Sequence, residues 1–370
     1  MLPSRVPMMP TVRPSTIFQK LQTFWPWSKS HSTIGLDMGS HAITFVELQH
    51  RRGRNHVSRW GSEPLEPNVI EHGRITNRSS LVAALHAFVH KYRLKGASVA
   101  MAVNGASVMV KRIHVPTRHH HDLDAYLRWE GAHYIPYDPD DVYLDFSVCS
   151  SVSQVASSEE IALLLVAAKR DAVDERRDVL EEVNVHPVIC DVEALACLNL
   201  ASLNAEVQTH NSYLLANLDG GIMTVVVVAQ GEPLLLRDVS VPSLSNQRVA
   251  DGTSENLGQP QWFHEAQASQ ETDSSLSEKM SWFEIVSELK RTVEGARELQ
   301  PDLDIECVFL GGRGWNSSQF LEELRQSLML PLSLIDPVAS LEWSRGRRSA
   351  RPLAPFSGVA GGLALRAQHG

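Results

Sequence analysis

The chain has only four cysteines in 370 residues, and Cys149, Cys190, Cys197 and Cys307 show no CxxC spacing. That argues against a disulfide framework or a thiolate zinc site and favours a reducing compartment. Long hydrophobic runs are also missing. A membrane helix needs about 20 apolar residues, whereas the best run, Met223 to Ala229, is short and β-branched and reads as a buried strand. Positive charge is in deficit. The formal net charge is −9, while a surface built for nucleic acid carries a basic excess. Neither a GxSxG elbow nor a GxxxxGK[ST] loop occurs, which argues against a hydrolase of that kind and a P-loop ATPase. Residues 1–30 carry Arg5, Arg13 and Lys20 but no unbroken apolar stretch, so they do not read as a signal peptide. With five prolines they read as a flexible tail. Phe18, Leu21, Phe24, Trp25 and Trp27 give it an aromatic character suited to a membrane surface or a partner.

What is present is the composition of a folded protein, 43% hydrophobic and 21% charged, long enough for two or more packed units. An apolar strand from Thr33 to Asp37 opens the ordered region, followed by strands at Ala42 to Gln49 and Val57 to Ser62. Ser79 caps a helix through Leu81, Leu85, Phe88 and Val89, and Ser98 to Val103 is the next strand. Residues 107–184 have a separate rhythm of strand, helix, strand, strand and helix, which marks an inserted subdomain. The first lobe resumes over 185–211. A second lobe over 212–370 repeats the opening pattern with strands at Tyr213 to Leu218, Met223 to Ala229 and Pro233 to Val241. Such internal duplication is informative. Residues 243–281 are polar and read as a loosely ordered loop, followed by a long helix from Trp282 to Glu298. A strand from Ile305 to Leu310 delivers Gly311-Gly312, and a short helix spans Val359 to Ala367.

Each opening strand pair places an Asp at a strand end, then glycine, then a hydroxyl residue. The first set is Asp37, Gly39 and Ser40; the second is Asp219, Gly221 and Thr224. Glycine turns leave backbone N–H groups accessible, and with small hydroxyls they suit phosphate oxygens. Two Asp carboxylates facing each other across a cleft suit a hydrated magnesium ion on a triphosphate. At Gly311 and Gly312 a bare backbone suits a flat base or sugar. Any one of these turns alone reads as an ordinary hairpin; three in order, with duplicated topology, point to a nucleotide cleft. His119-His120-His121 reads as solvated rather than metal-binding, because consecutive side chains diverge.

This order of phosphate loops, insert, connecting helix and adenosine glycines resembles the actin/FtsA superfamily, and within it the type IV pilus assembly protein PilM family. The resemblance rests on Lys111 to Pro116, Leu127-Arg128-Trp129-Glu130, Tyr134-Ile135-Pro136-Tyr137, Leu163 to Lys169 with Asp171, Asp191-Val192-Glu193-Ala194, and Gly361-Gly362-Leu363-Ala364-Leu365-Arg366. It runs from about residue 33 to the C-terminus, apart from the polar loop. It implies an actin-like two-lobed α/β fold that works inside the cell as an assembly platform of a type IV or related competence pilus. The implied cofactors are ATP and Mg, with Asp37 holding Mg through water and Glu193 as the cleft carboxylate that orients a water. Glu288 and Lys290 on the long helix read as a solvated helix face or, by the resemblance, as neighbours of the nucleotide. The implied partner is the N-terminal cytoplasmic peptide of a PilN-like bitopic membrane protein, docking on residues 107–184 and bringing the chain to the inner face of the inner membrane, beside other pilus assembly proteins. Trp129 and Tyr134 are expected to pack the subdomain. Ile222 and Met223 are bulkier than the family's small residues and are expected to narrow the second phosphate loop; Trp315 either stacks on a base or fills its site. These departures imply a weakened cleft and at most slow ATP hydrolysis. The alternatives are an FtsA-like division protein and, further off, a small-molecule kinase of the superfamily.

Overall fold

The structure is a computed structural model that describes residues 34–51, 54–119, 121–149, 160–219, 222–241, 275–312, 315, 317–336, 341–343 and 358–368. Gly221, His120, the basic stretch Arg345 to Arg351, the tail before residue 34 and most of the polar segment lie outside the described residues.

Three strands open the first lobe: β1 (Ile34–Met38), β2 (Ala42–Arg51) and β3 (Arg54–Pro64), an antiparallel meander. A small hairpin, β4 (Ile70–Glu71) and β5 (Arg74–Ile75), leads into helix α1 (Arg78–Tyr92). Asn77 rather than Ser79 is the cap, because its side chain accepts the Ser80 N–H at 3.1 Å. An Asx oxygen there satisfies one of the orphan amides of the first turn. The next strand, β6 (Ser98–Val103), runs parallel to β1.

The insert contributes β7 (Val108–Pro116), α2 (Leu123–Glu130), β8 (Val142–Val148) and β9 (Glu160–Lys169), and the chain continues as α3 (Arg170–Glu182). Strands β7, β9 and β8 form their own sheet, covered by Leu123, Leu127 and Ile135. Helix α3 packs instead on the first lobe, where Val173, Val179 and Leu180 join Leu36, Phe45 and Phe88. The chain returns through β10 (His186–Val192) and α4 (Glu193–Ala201).

The second lobe repeats the first. Strands β11 (Tyr213–Asp219), β12 (Ile222–Ala229) and β13 (Glu232–Ser240) make a second meander, with β14 (Cys307–Gly312) parallel to β11. Helix α5 (Ser275–Leu299) precedes β14; α6 (Ser318–Leu328), β15 (Leu332–Leu334), β16 (Glu342–Trp343) and α7 (Gly358–Gln368) follow it. Helix α5 starts within the stretch expected to be a loop, so residues 275–281 are helical. The pairing of β16 with β3 was not visible in the residue pattern. The two large sheets run β10-β6-β1-β2-β3-β16 and β13-β12-β11-β14-β15. All four cysteines are free thiols. Among the described residues no helix is long and apolar enough to cross a membrane.

Helix α4 lies between the sheets and is apolar nearly all round, as a fully buried helix must be. Leu195 and Leu198 face the second sheet with Leu215, Val226 and Phe309, while Leu200 packs with α7 against Val46 and Leu48. Helix α7 can reach this depth only through glycine. A Cβ on Gly35 would stand 2.0 Å from the Ala360 carbonyl oxygen, and one on Gly362 only 1.8 Å from that of Ala196. Both neighbours are backbone, so neither can give way cheaply. Gly362→Ala is therefore expected to destabilise the fold by about 2–3 kcal/mol in chemical denaturation, although Ala favours helix. Gly295→Ala on α5 is the control, since a Cβ there meets nothing within 4 Å. It is expected to stabilise by roughly 0.5–1 kcal/mol through helix propensity alone.

Candidate functional site

The cleft is built where the sheets end. Asp37 sits in β1 at 8% exposure, and Gly39 closes the following turn by donating its N–H to Ala42 O at 3.0 Å. Ser40 follows at the surface of the same turn, half-buried. From the other lobe, Thr224 on β12 is buried and donates its hydroxyl to Asp238 Oδ1 at 2.7 Å. Asp219 ends β11, paired with Ile222. Gly221, beside it, lies outside the described residues.

Glu193 opens α4 at the base of the cleft, where Asn104 Nδ2 donates to its Oε2 at 2.5 Å. Burial, with the Asp37 and then the Asp238 carboxylate beside it, holds the Glu193 carboxyl well above the usual range, against the opposing pull of Arg176 and Asn104. Removing a carboxylate from water and placing like charges next to it both disfavour ionisation. Arg176 is 2% exposed and donates to Gly73 O at 2.8 Å. Behind this cluster Asp191 lies 3.9 Å from Arg366 of α7, and burial raises the Asp191 carboxyl despite that partner.

The structure thus gathers Asp37, Glu193, Thr224 and, from outside the sequence reading, Asn104, Gly105 and Asp238. The Asn104-Gly105 pair was legible as a turn signal after β6. Asp238 was legible as a charge interrupting the apolar run Leu234 to Val241. Asp238 joins the lobes, because its Oδ2 accepts the Gly105 N–H at 2.8 Å.

Some expectations hold and others are corrected. Met223 does not narrow the phosphate turn: it is fully buried in the second-lobe core with Leu214 and Leu289. Strand alternation turns its side chain away from the cleft. Trp315 fills its site, packing on Phe320 and donating its indole N–H to Gly311 O at 2.7 Å. Gly312, at φ +85°, is required by its own chain, for a Cβ there would lie 2.3 Å from Leu218 O. Gly311 has room for a Cβ, with Asn217 Oδ1 at 3.4 Å. Glu288 is held by Arg291 and, at 3.6 Å, by Arg237, while Lys290 is exposed. Trp129 does not pack the subdomain: it stands 84% exposed on α2. Tyr134 does pack, its hydroxyl 3.1 Å from that of Tyr126. His119 stacks on Tyr126, and His121 is exposed.

The gathered carboxylates suit a cation that reaches them through water. Among the described residues no three of His, Cys, Asp and Glu are grouped to hold a metal ion directly. Two duplicated lobes, each a meander continued by a parallel strand, closing over buried carboxylates, define an actin-like fold. Residues 35–259 match the family model of type IV pilus assembly protein PilM, and the chain belongs to that family. A solved chain of a PilM-PilN type IV pilus biogenesis complex superposes with a TM-score of 0.70 at 21% identity, covering 92% of this chain and 99% of that one. MreB5 of Spiroplasma citri bound to ADP is similar at 11% identity over 90% of this chain and 94% of its own, TM-score 0.46. Ethanolamine utilization protein EutJ from Carboxydothermus hydrogenoformans is similar at 12% identity over 90% and 88%, TM-score 0.44.

Because burial and the neighbouring carboxylates raise the Glu193 carboxyl above its ordinary 4.5 in the folded state, stability falls as pH rises from that value through the raised one. Glu193→Gln is expected to raise the melting temperature at pH 8 and leave it nearly unchanged at pH 4. Equal shifts at both pH values would show that charge crowding is not the cause.

Proposed function

We propose that the chain is an actin-like assembly platform of a type IV pilus, or a related competence pilus, inner-membrane complex. Its partner in this reading is the N-terminal cytoplasmic peptide of a PilN-like bitopic membrane protein, which docks on residues 107–184 and keeps the chain at the inner face of the inner membrane beside other pilus assembly proteins. The observation that carries the reading is family membership over residues 35–259. The near full-length likeness to a chain of a PilM-PilN complex supports it. The insert adds a separate three-stranded sheet and, at Trp129, an uncovered aromatic surface. Exposed tryptophans are strong anchors in protein recognition.

The cleft fits ATP with Mg in its charge and less well in its donors. Asp37 would hold the cation through water, and Ser40 and Thr224 would face the phosphates, with Asp219 and Gly221 completing the second loop and Gly311 and Gly312 beside the adenosine. The cation supplies positive charge that the gathered carboxylates lack. Thr224 is already hydrogen-bonded to Asp238, and Trp315 occupies the space behind Gly311. Glu193 remains the candidate to orient a water. A carboxyl pushed upward by burial and by its neighbours is protonated for more of the time, which makes it a poor base until a cation arrives. Hydrolysis in this reading is at most slow.

Titration calorimetry with the N-terminal peptide of the cognate PilN-like protein is expected to give saturable heat with a Kd on the order of 1–100 μM. Absence of heat at millimolar peptide would sink the platform reading. For the cleft, Mg-ATP is expected to bind wild type at least about tenfold more tightly than Asp37→Ala, one lost charge contact being worth about that factor. Negligible binding by both would mean an empty cleft.

A further inference from the structure

Strand β13 is the edge of the second sheet, and it meets both the insert and the first lobe. At one end Arg112 of β7 donates to Pro233 O at 2.9 Å; at the other Ser240 Oγ lies 3.3 Å from His72 Nδ1. Between them Asp238 uses both oxygens. Oδ2 takes the Gly105 N–H at 2.8 Å from the first lobe, and Oδ1 takes the Thr224 hydroxyl at 2.7 Å from its own.

The Gly105 amide is aimed by its backbone. Its φ is +70°, and a Cβ there would stand 2.8 Å from His72 O, so the position is closed to other residues. A fixed backbone N–H beside a hydroxyl is the donor arrangement that receives an oxyanion. Here a carboxylate of the chain itself occupies it, and it does so next to Asp37 and Glu193. Three acidic groups in one place raise the cost of this arrangement.

We propose that Asp238 is an interlobe latch seated in the oxyanion cradle of the cleft, and that a phosphate-bearing ligand arriving with a divalent cation releases it by taking over the Gly105 and Thr224 donors. The ligand half rests on the nucleotide reading above; the latch half stands without it. A carboxylate and a phosphoryl oxygen compete for the same two donors, so the latch lowers ligand affinity in proportion to its own strength. Binding then frees β13 near its Ser240 end, which couples the cleft to the contacts of Pro233 and Ser240 with the insert and the first lobe.

Hydrogen exchange at the Gly105 amide reads the latch directly, with no ligand present. In Asp238→Ala it is expected to run at least about tenfold faster than in wild type. Asp238→Asn keeps size and one acceptor but loses the charge, so it serves if the alanine variant does not fold; an increase of roughly threefold is expected there. Unchanged exchange in the folded variants overturns the latch. Calorimetry with Mg-ATP then tests the ligand half, with Asp238→Asn expected to bind about tenfold more tightly than wild type. Equal measurable affinity overturns displacement. Faster exchange with no binding by either protein leaves the latch standing and removes the nucleotide reading.

Discussion

The close approach of α7 to β1 and α4 sets the geometry on which the rest depends. Helix α4 must present one apolar face to each lobe, and α7 must lie against it without the separation that side chains impose. Gly35 and Gly362 remove the two Cβ atoms that would collide with backbone carbonyls. The hydrophobic drive is spread over Leu200, Ala360, Ala364 and Leu365, but burial alone has no direction. The glycines fix where the helix may sit. Arg366 then falls beside Asp191 at the end of β10, and Glu193 falls at the base of the cleft.

From that placement the charge pattern of the cleft follows. Parallel pairing of β10, β6 and β1 brings their C-terminal ends together, so Asp37, Asn104 and Glu193 converge although they are far apart in the chain. The second lobe adds Thr224 and Asp238 from the facing meander. Burial makes each carboxylate costly, and proximity makes the set costlier still. Such crowding is characteristic of a site that receives a cation or an anion–cation pair. The insert packs one face of its sheet under Leu123, Leu127 and Ile135, while Cys149, Ala162 and Leu164 join the core around α4.

Much of the fold was legible beforehand because its signals are local. The buried strands at Ile34–Met38 and Ile222–Ala229 follow from apolar runs bounded by glycine turns. The start of α5 was not legible, since Ser275 to Ser281 is polar and its helicity comes from continuation of a packed helix, not from its own composition. Trp129 was misjudged for a related reason. A helix side chain is inside or outside according to what its face meets, and α2 meets the small sheet through Leu123 and Leu127 instead. Met223 was misjudged because the strand was started one position too late; β12 already begins at Ile222, and Met223 lies on its core face.

The sequence by itself determined the duplicated strand order, the insert and the first glycine turn, since hydrophobic period and glycine turns are properties of short windows. The PilM-like motifs carried the family in the same way. Only the tertiary structure decided what those turns face. Asp238 in the cradle, Trp315 against Gly311, and Gly312 against Leu218 are contacts between segments brought together by sheet pairing and by the seat of α4. A window of sequence carries no distance, and each of these roles depends on one.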